Sequence, residues 1–169
     1  MTKAIRAACL LLCASLSSAA LGARRHPAPP HAAPPSAPEP GWALARGKEA
    51  LKLFYGMPDG TDTVIAFDCV PRSGDVLIHV PATSGKLRAD RSQSVSLTIG
   101  GVKSSFAATV TEGQDGGVIL EVTVSTRNPM FTSLGGPGGM RIETKGATKI
   151  VPLRGIGEKL RPFIAGCRK

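Results

Sequence analysis

Catalysis and metal binding draw on a small set of side chains, and this sequence supplies few of them. Its three histidines are His26, His31 and His79. His26 and His31 stand in a proline-rich stretch, where no packed surroundings hold a geometry. His79 is one residue out of phase with Val76, Ile78 and Val80, so it is expected on the opposite, partly exposed side of its strand. No His-x-x-x-His pair exists and no cysteines stand at zinc-ligand spacing, so neither a metal site nor another cofactor is expected. Among the carboxylates, Asp59 and Asp62 share a loop, and Asp68 and Asp75 flank the turn 71–74. Paired-carboxylate hydrolysis needs two such groups held about 5 to 10 Å apart across a substrate. Asp68 and Asp75 come nearest to that requirement. Ser73 precedes Gly74 but lacks the G-x-S-x-G elbow and a histidine to serve it. No catalytic residue is assigned.

Glycines and cations offer binding rather than catalysis. Gly155-Ile156-Gly157 opens a helix but lacks the third glycine of a dinucleotide-binding turn. Gly135, Gly136, Pro137, Gly138 and Gly139 have no following Lys-Ser/Thr and so form no P-loop. They are expected as a flexible surface loop and are a candidate binding loop. Basic residues gather late in the chain, at Lys145, Lys149, Arg154, Lys159, Arg161, Arg168 and Lys169. Of these, Lys149, Arg154, Lys159 and Arg161 form the candidate basic patch. Nucleic acid would also require stacking platforms. Aromatics make up only 4% of the residues, and export would remove such partners, so no nucleic-acid partner is expected.

Export is read from the first residues. Lys3 and Arg6 precede the apolar run 7–16, and small residues follow through Ala23, with cleavage fitting after Ala20 or Ala23. Residues 1–23 are expected as a signal peptide. Its apolar run falls short of the roughly 20 residues a spanning helix needs. No transmembrane segment is therefore expected once the signal is cleaved. Residues 24–40 are a Pro/Ala-rich segment with seven prolines, expected as a disordered linker. Signal removal takes Cys9 and Cys13, leaving Cys69 and Cys167 as a disulfide candidate in an oxidising compartment. The net charge is +9; Lys3, Arg6, Arg24 and Arg25 against Glu39 account for +3 of it, so +6 falls on residues 41–169.

Those residues read as a single β-rich domain. Apolar residues make up 42% of the chain but aromatics few, so the core must be built from Val, Ile, Leu and Ala. Val95, Leu97 and Ile99 alternate with polar neighbours, Gly100-Gly101 offers a tight turn, and Phe106, Ala108 and Val110 share the returning face. Val118, Leu120, Val122 and Val124 continue the meander. Strands are also expected over 50–55, 63–70, 75–80, 140–145 and 147–153, with Asn128-Pro129 capping one helical turn. Ile156, Leu160, Phe163, Ile164 and Cys167 recur at helical spacing, and Pro162 is expected to kink or restart that helix. The fold class is all-β: an antiparallel β-sandwich or partly open barrel of about seven strands with a short C-terminal helix.

Trp42 near the domain start, a strand ending in Cys69, and the run from Ile150 through Leu160 to Cys167 carry a family likeness. The pattern resembles the small periplasmic proteins of Gram-negative bacteria typified by invasion-associated locus B and by type VI secretion accessory proteins of the VasI kind. That resemblance implies a bacterial β-sandwich without established catalysis, and no functional residue carries over from it.

These features predict an exported, non-enzymatic binding or accessory protein of the bacterial cell envelope, periplasmic or secreted. Its expected partner is an envelope protein or an anionic envelope polymer. One alternative is a small periplasmic hydrolase acting on envelope material, with Asp68 and Asp75 as its carboxylates. The other is a structural accessory of a secretion or surface assembly, with the proline-rich segment as spacer.

Overall fold

Strands arise in this chain where β-branched residues alternate with polar ones, because alternate side chains point to opposite faces. A computed structural model describes residues 37–82, 87, 92–113 and 116–169. The expected signal peptide, and the proline-rich segment up to residue 36, lie outside the described residues. In chain order the elements are β1 (Gly41–Arg46), β2 (Leu51–Gly56), β3 (Ile65–Cys69), β4 (Asp75–Pro81), β5 (Gln93–Ile99), β6 (Val102–Glu112) and β7 (Val118–Ser125). They continue with α1 (Met130–Leu134), β8 (Gly139–Thr144), β9 (Ala147–Pro152) and α2 (Gly157–Cys167). Among the described residues no helix is long and apolar enough to cross a membrane.

The protein is mostly β with a short C-terminal helix, as expected; of the two expected architectures the partly open barrel is the nearer, while the sandwich and the count of about seven strands are corrected. A single nine-stranded antiparallel sheet runs in the order β1-β2-β3-β4-β7-β6-β5-β8-β9 and curls into a half-barrel. A sandwich would need the sheet to end and restart. Here β4 pairs with β7 and β5 with β8, so the early strands and the last hairpin join one ladder. Strand β6 links the two parts with a strong stagger: residues 102–108 pair with β5 and residues 109–112 with β7. Such an offset lets a sheet curl rather than lie flat. The strand missed by sequence reasoning is β1, because Trp42 is its one buried side chain and no alternation marks it.

Local chemistry explains the turns. Ile99 pairs with Val102 across Gly100-Gly101, which take φ +56° and +82° as a tight two-residue hairpin demands. Asn128 caps α1 as expected, its Oδ1 accepting the Met130 N–H at 3.0 Å. Helix α2 is continuous through Pro162 instead of restarting there. The carbonyl that Pro162 leaves without a helical donor belongs to Glu158 in the exposed first turn.

The inward face of the sheet buries Leu53, Ile65, Phe67, Val76, Ile78, Leu97, Leu120 and Ile142. Met130, Phe131 and Leu134 of α1, and Leu160, Phe163 and Ile164 of α2, belong to the same core. Helix α2 packs on β1 and β2, and α1 packs on β5. A disulfide joins Cys69 on β3 to Cys167 at the end of α2, with Cα atoms 5.9 Å apart. The turn after β3 caps the same helix end: the Arg72 N–H donates to the Gly166 carbonyl at 2.9 Å and the Gly74 N–H to that of Cys167 at 2.8 Å. At the two sheet edges, Trp42 Nε1–H on β1 donates to the Pro152 carbonyl on β9 at 2.7 Å.

Candidate functional site

The segment after β7 is held rigidly before it reaches α1. Thr126 is buried, and both its N–H and its hydroxyl donate to the Gly74 carbonyl, at 2.9 and 3.1 Å. Ser125 Oγ accepts the Arg127 N–H at 3.3 Å, and Asn128 then caps the helix. Arg127 is thereby presented beside α1 on a fixed backbone. Facing it, α2 carries Arg161 and Ala165, four residues apart on one side of the helix, and Arg168 follows as its C-cap residue.

Between α1 and α2 lies an open groove of about 480 Å³. Phe131, Leu160 and Ile164 form its floor, each recessed at 6 to 7% exposure. Arg127, Arg161 and Arg168 stand along it, and the absence of side chains at Gly135 and Gly157 keeps it open. Among the described residues no carboxylate side chain lines this groove. Among the described residues none of the three arginines has an ion-pair partner within 4.0 Å. A second cavity, of about 540 Å³, adjoins it and shares Thr126, Arg127 and Arg168; its other walls are Ser73, Gly74, Asp75, Ser125 and Lys169. Uncompensated guanidinium groups beside an apolar floor can hold an anion through paired hydrogen bonds while burying an apolar part of the same ligand.

A second cluster sits on the outer face of the sheet. His79 lies there, opposite in phase to Val76, Ile78 and Val80, as its register predicts. Its Nε2 is 3.2 Å from Asp68 Oδ2 on β3, and its Nδ1 is 3.4 Å from Glu121 Oε1 on β7. Asp68 Oδ1 is buried without a hydrogen-bond partner. Carboxylates only accept, so both contacts become hydrogen bonds when the ring is an imidazolium. With both nitrogens facing carboxylates, the ring presents no free lone pair to a substrate, which a general base needs. Among the described residues no group of His, Cys, Asp and Glu is arranged to hold a metal ion.

The residues singled out in the sequence are dispersed by the fold. Gly135 and Arg161 line the groove. Gly136 and Pro137 continue from α1, the Gly138 carbonyl accepts the Leu153 N–H at 2.9 Å, and Gly139 begins β8 opposite Pro152. Lys149 lies on β9, Arg154 in the turn before α2, and Lys159 on α2, all outside the groove lining. Asp68 is engaged by His79, whereas Asp75 faces the second cavity. Two carboxyls, the half-buried Glu143 and the exposed Asp59, titrate below their ordinary values. Glu143 does so because Lys103 hydrogen-bonds it, at 2.7 Å, and adds its positive charge; Asp59 does so through the Thr61 hydroxyl and backbone N–H. The groove residues that sequence reasoning did not assign are Thr126, Arg127, Phe131 and Arg168. Arg168 falls seven residues after Arg161, a helical repeat that could have flagged it, while Arg127 has no local signal.

Fold and groove together define a disulfide-linked, half-barrel β protein with an arginine-lined cleft between two helices. No family model, curated protein or solved structure matches the chain.

Proposed function

We propose that this chain is an exported, non-enzymatic binding protein of the bacterial cell envelope, and that it holds an anionic partner in the groove between α1 and α2. The observation that carries the reading is the groove itself, with three arginines, an apolar floor and, among the described residues, no lining carboxylate side chain. Export is supported by the basic, apolar and small-residue succession of residues 1–23 and by the Cys69–Cys167 disulfide, which suits an oxidising compartment. A binding role is further supported by His79, whose two ring nitrogens both face carboxylates.

The test is calorimetric titration of the mature protein with tripolyphosphate, beside a variant carrying Arg127→Gln, Arg161→Gln and Arg168→Gln. The wild type should bind saturably at one site, and the variant at least about tenfold more weakly. Equal binding by the two proteins, or none by either, would remove the groove from the account.

A further inference from the structure

The groove and the polar cavity beside it meet at Thr126, Arg127 and Arg168. Beyond that junction the groove is lined by its apolar floor of Phe131, Leu160 and Ile164 together with Arg161, Asn128 and Thr132, and the cavity by Ser73, Asp75 and Lys169. An apolar floor that adjoins a cationic cavity complements a molecule with an apolar chain and an anionic head. Resting on the anionic-partner reading above, the geometry points to a single-chain amphiphile with a phosphate head group as the occupant. Its chain lies over the groove floor, and its head sits between Arg127 and Arg168 with Lys169 beside them.

Charge favours phosphate over carboxylate. Among the described residues the side chains of Arg127, Arg168 and Lys169 face one side-chain carboxylate, Asp75, in the polar cavity. A phosphomonoester carries about −1.5 to −2 at neutral pH and offers three acceptor oxygens to guanidinium forks, whereas a carboxylate brings a single charge. The recessed floor favours a free molecule over a bilayer surface. Phe131, Leu160 and Ile164 are only 6 to 7% exposed, within reach of an inserted chain but not of a flat membrane. An extended polyanion would satisfy the arginines and leave that floor unfilled. A volume of about 480 Å³ suits a small molecule.

The experiment is calorimetry on the mature, oxidised protein with octyl phosphate below its micelle concentration, beside inorganic phosphate and octyl glucoside. Octyl phosphate should bind one to one and at least about tenfold more tightly than either half-ligand. Arg127→Gln with Arg168→Gln should weaken octyl phosphate at least about tenfold. Ala165→Glu places a charged chain in the groove from an exposed helical position, so the fold is kept. Its carboxylate, one turn from Arg161 and beside Arg168, should weaken both anions and abolish the advantage of octyl phosphate over inorganic phosphate. If octyl phosphate bound no better than inorganic phosphate, both through the arginines, the amphiphile would be wrong and the anionic groove would stand. If neither anion responded to the arginine substitutions, both readings would fall. Phosphatidylglycerol vesicles bound equally by wild type and Ala165→Glu, with no binding of monomeric octyl phosphate, would also overturn the proposal in favour of a bilayer surface.

Discussion

Glu143 on β8 reaches over β5 to Lys103 on β6, and this contact holds its carboxyl below the ordinary glutamate range. Replacing the cation should reverse the shift. In Lys103→Met the Glu143 midpoint should rise toward 4.5, as read by carboxyl-detected NMR titration. An unchanged midpoint would show that Lys103 is not its cause. The sign of the linkage follows from the depressed folded value. Whatever the pair adds to stability is present above the unfolded value and is lost as pH falls through the folded one. Exposure keeps that contribution small. At this scale the sequence is informative about phase and poor about partners. The position of His79 on the outer face follows from alternation, but its neighbours Asp68 and Glu121 come from strands that local pattern does not align with it.

Helix α2 shows how an element marginal by composition is held in place. It contains Pro162 and Gly166, either of which weakens an isolated helix. Leu160, Phe163 and Ile164 bury its inner face, Arg72 and Gly74 cap its last carbonyls, and Cys167 ties it to β3. Gly166 allows a close approach, since a Cβ there would lie 2.5 Å from Leu51 Cδ1 and would force that side chain to shift. The bridge spans 98 residues, a loop for which the chain-entropy model gives about 4.7 kcal/mol as an upper expectation. Cys167→Ser should therefore lower the melting temperature, and hydrogen exchange should rise first in α2 while β5, β6 and β7 keep their protection. Two free thiols in the denatured, unreduced protein lacking residues 1–23 would refute the pairing. This helix was legible from its apolar spacing. That it continues through Pro162 was not, because the tolerance depends on where the freed Glu158 carbonyl lies.

Closure of the molecule depends on its two sheet edges. Trp42 on β1 touches Tyr55 and Phe67 and donates to the Pro152 carbonyl on β9, spanning the open side of the half-barrel. Trp42→Phe removes the donor and part of the buried ring, and should cost about 1 to 3 kcal/mol in urea unfolding followed by circular dichroism. A variant as stable as the wild type would mean that this hydrogen bond does not hold the edges together. Export belongs to the same scale. Intact-mass measurement on protein from its own host should find an N-terminus between Leu21 and Arg24, and a soluble cytoplasmic pool retaining Met1 would contradict it.

By itself the sequence determined what short-range rules govern: the β character, the Gly100-Gly101 hairpin, the cap at Asn128, the apolar face of α2 and the two cysteines available to each other. Each depends on residues within a few positions, except the cysteine pair, which follows from a count of two outside the expected signal peptide. The tertiary structure alone decided the strand order and the groove. Strands β4 and β7 pair across an intervening hairpin, and β5 pairs with β8 across β6, β7 and α1, which turns an expected sandwich into one curled sheet. Arg127 and Arg168 share a cleft although 41 residues separate them, because Gly74 fixes Thr126 on one side and the end of α2 on the other. Periodicity reports which face a side chain takes; only long-range hydrogen bonds and packing determine which faces meet.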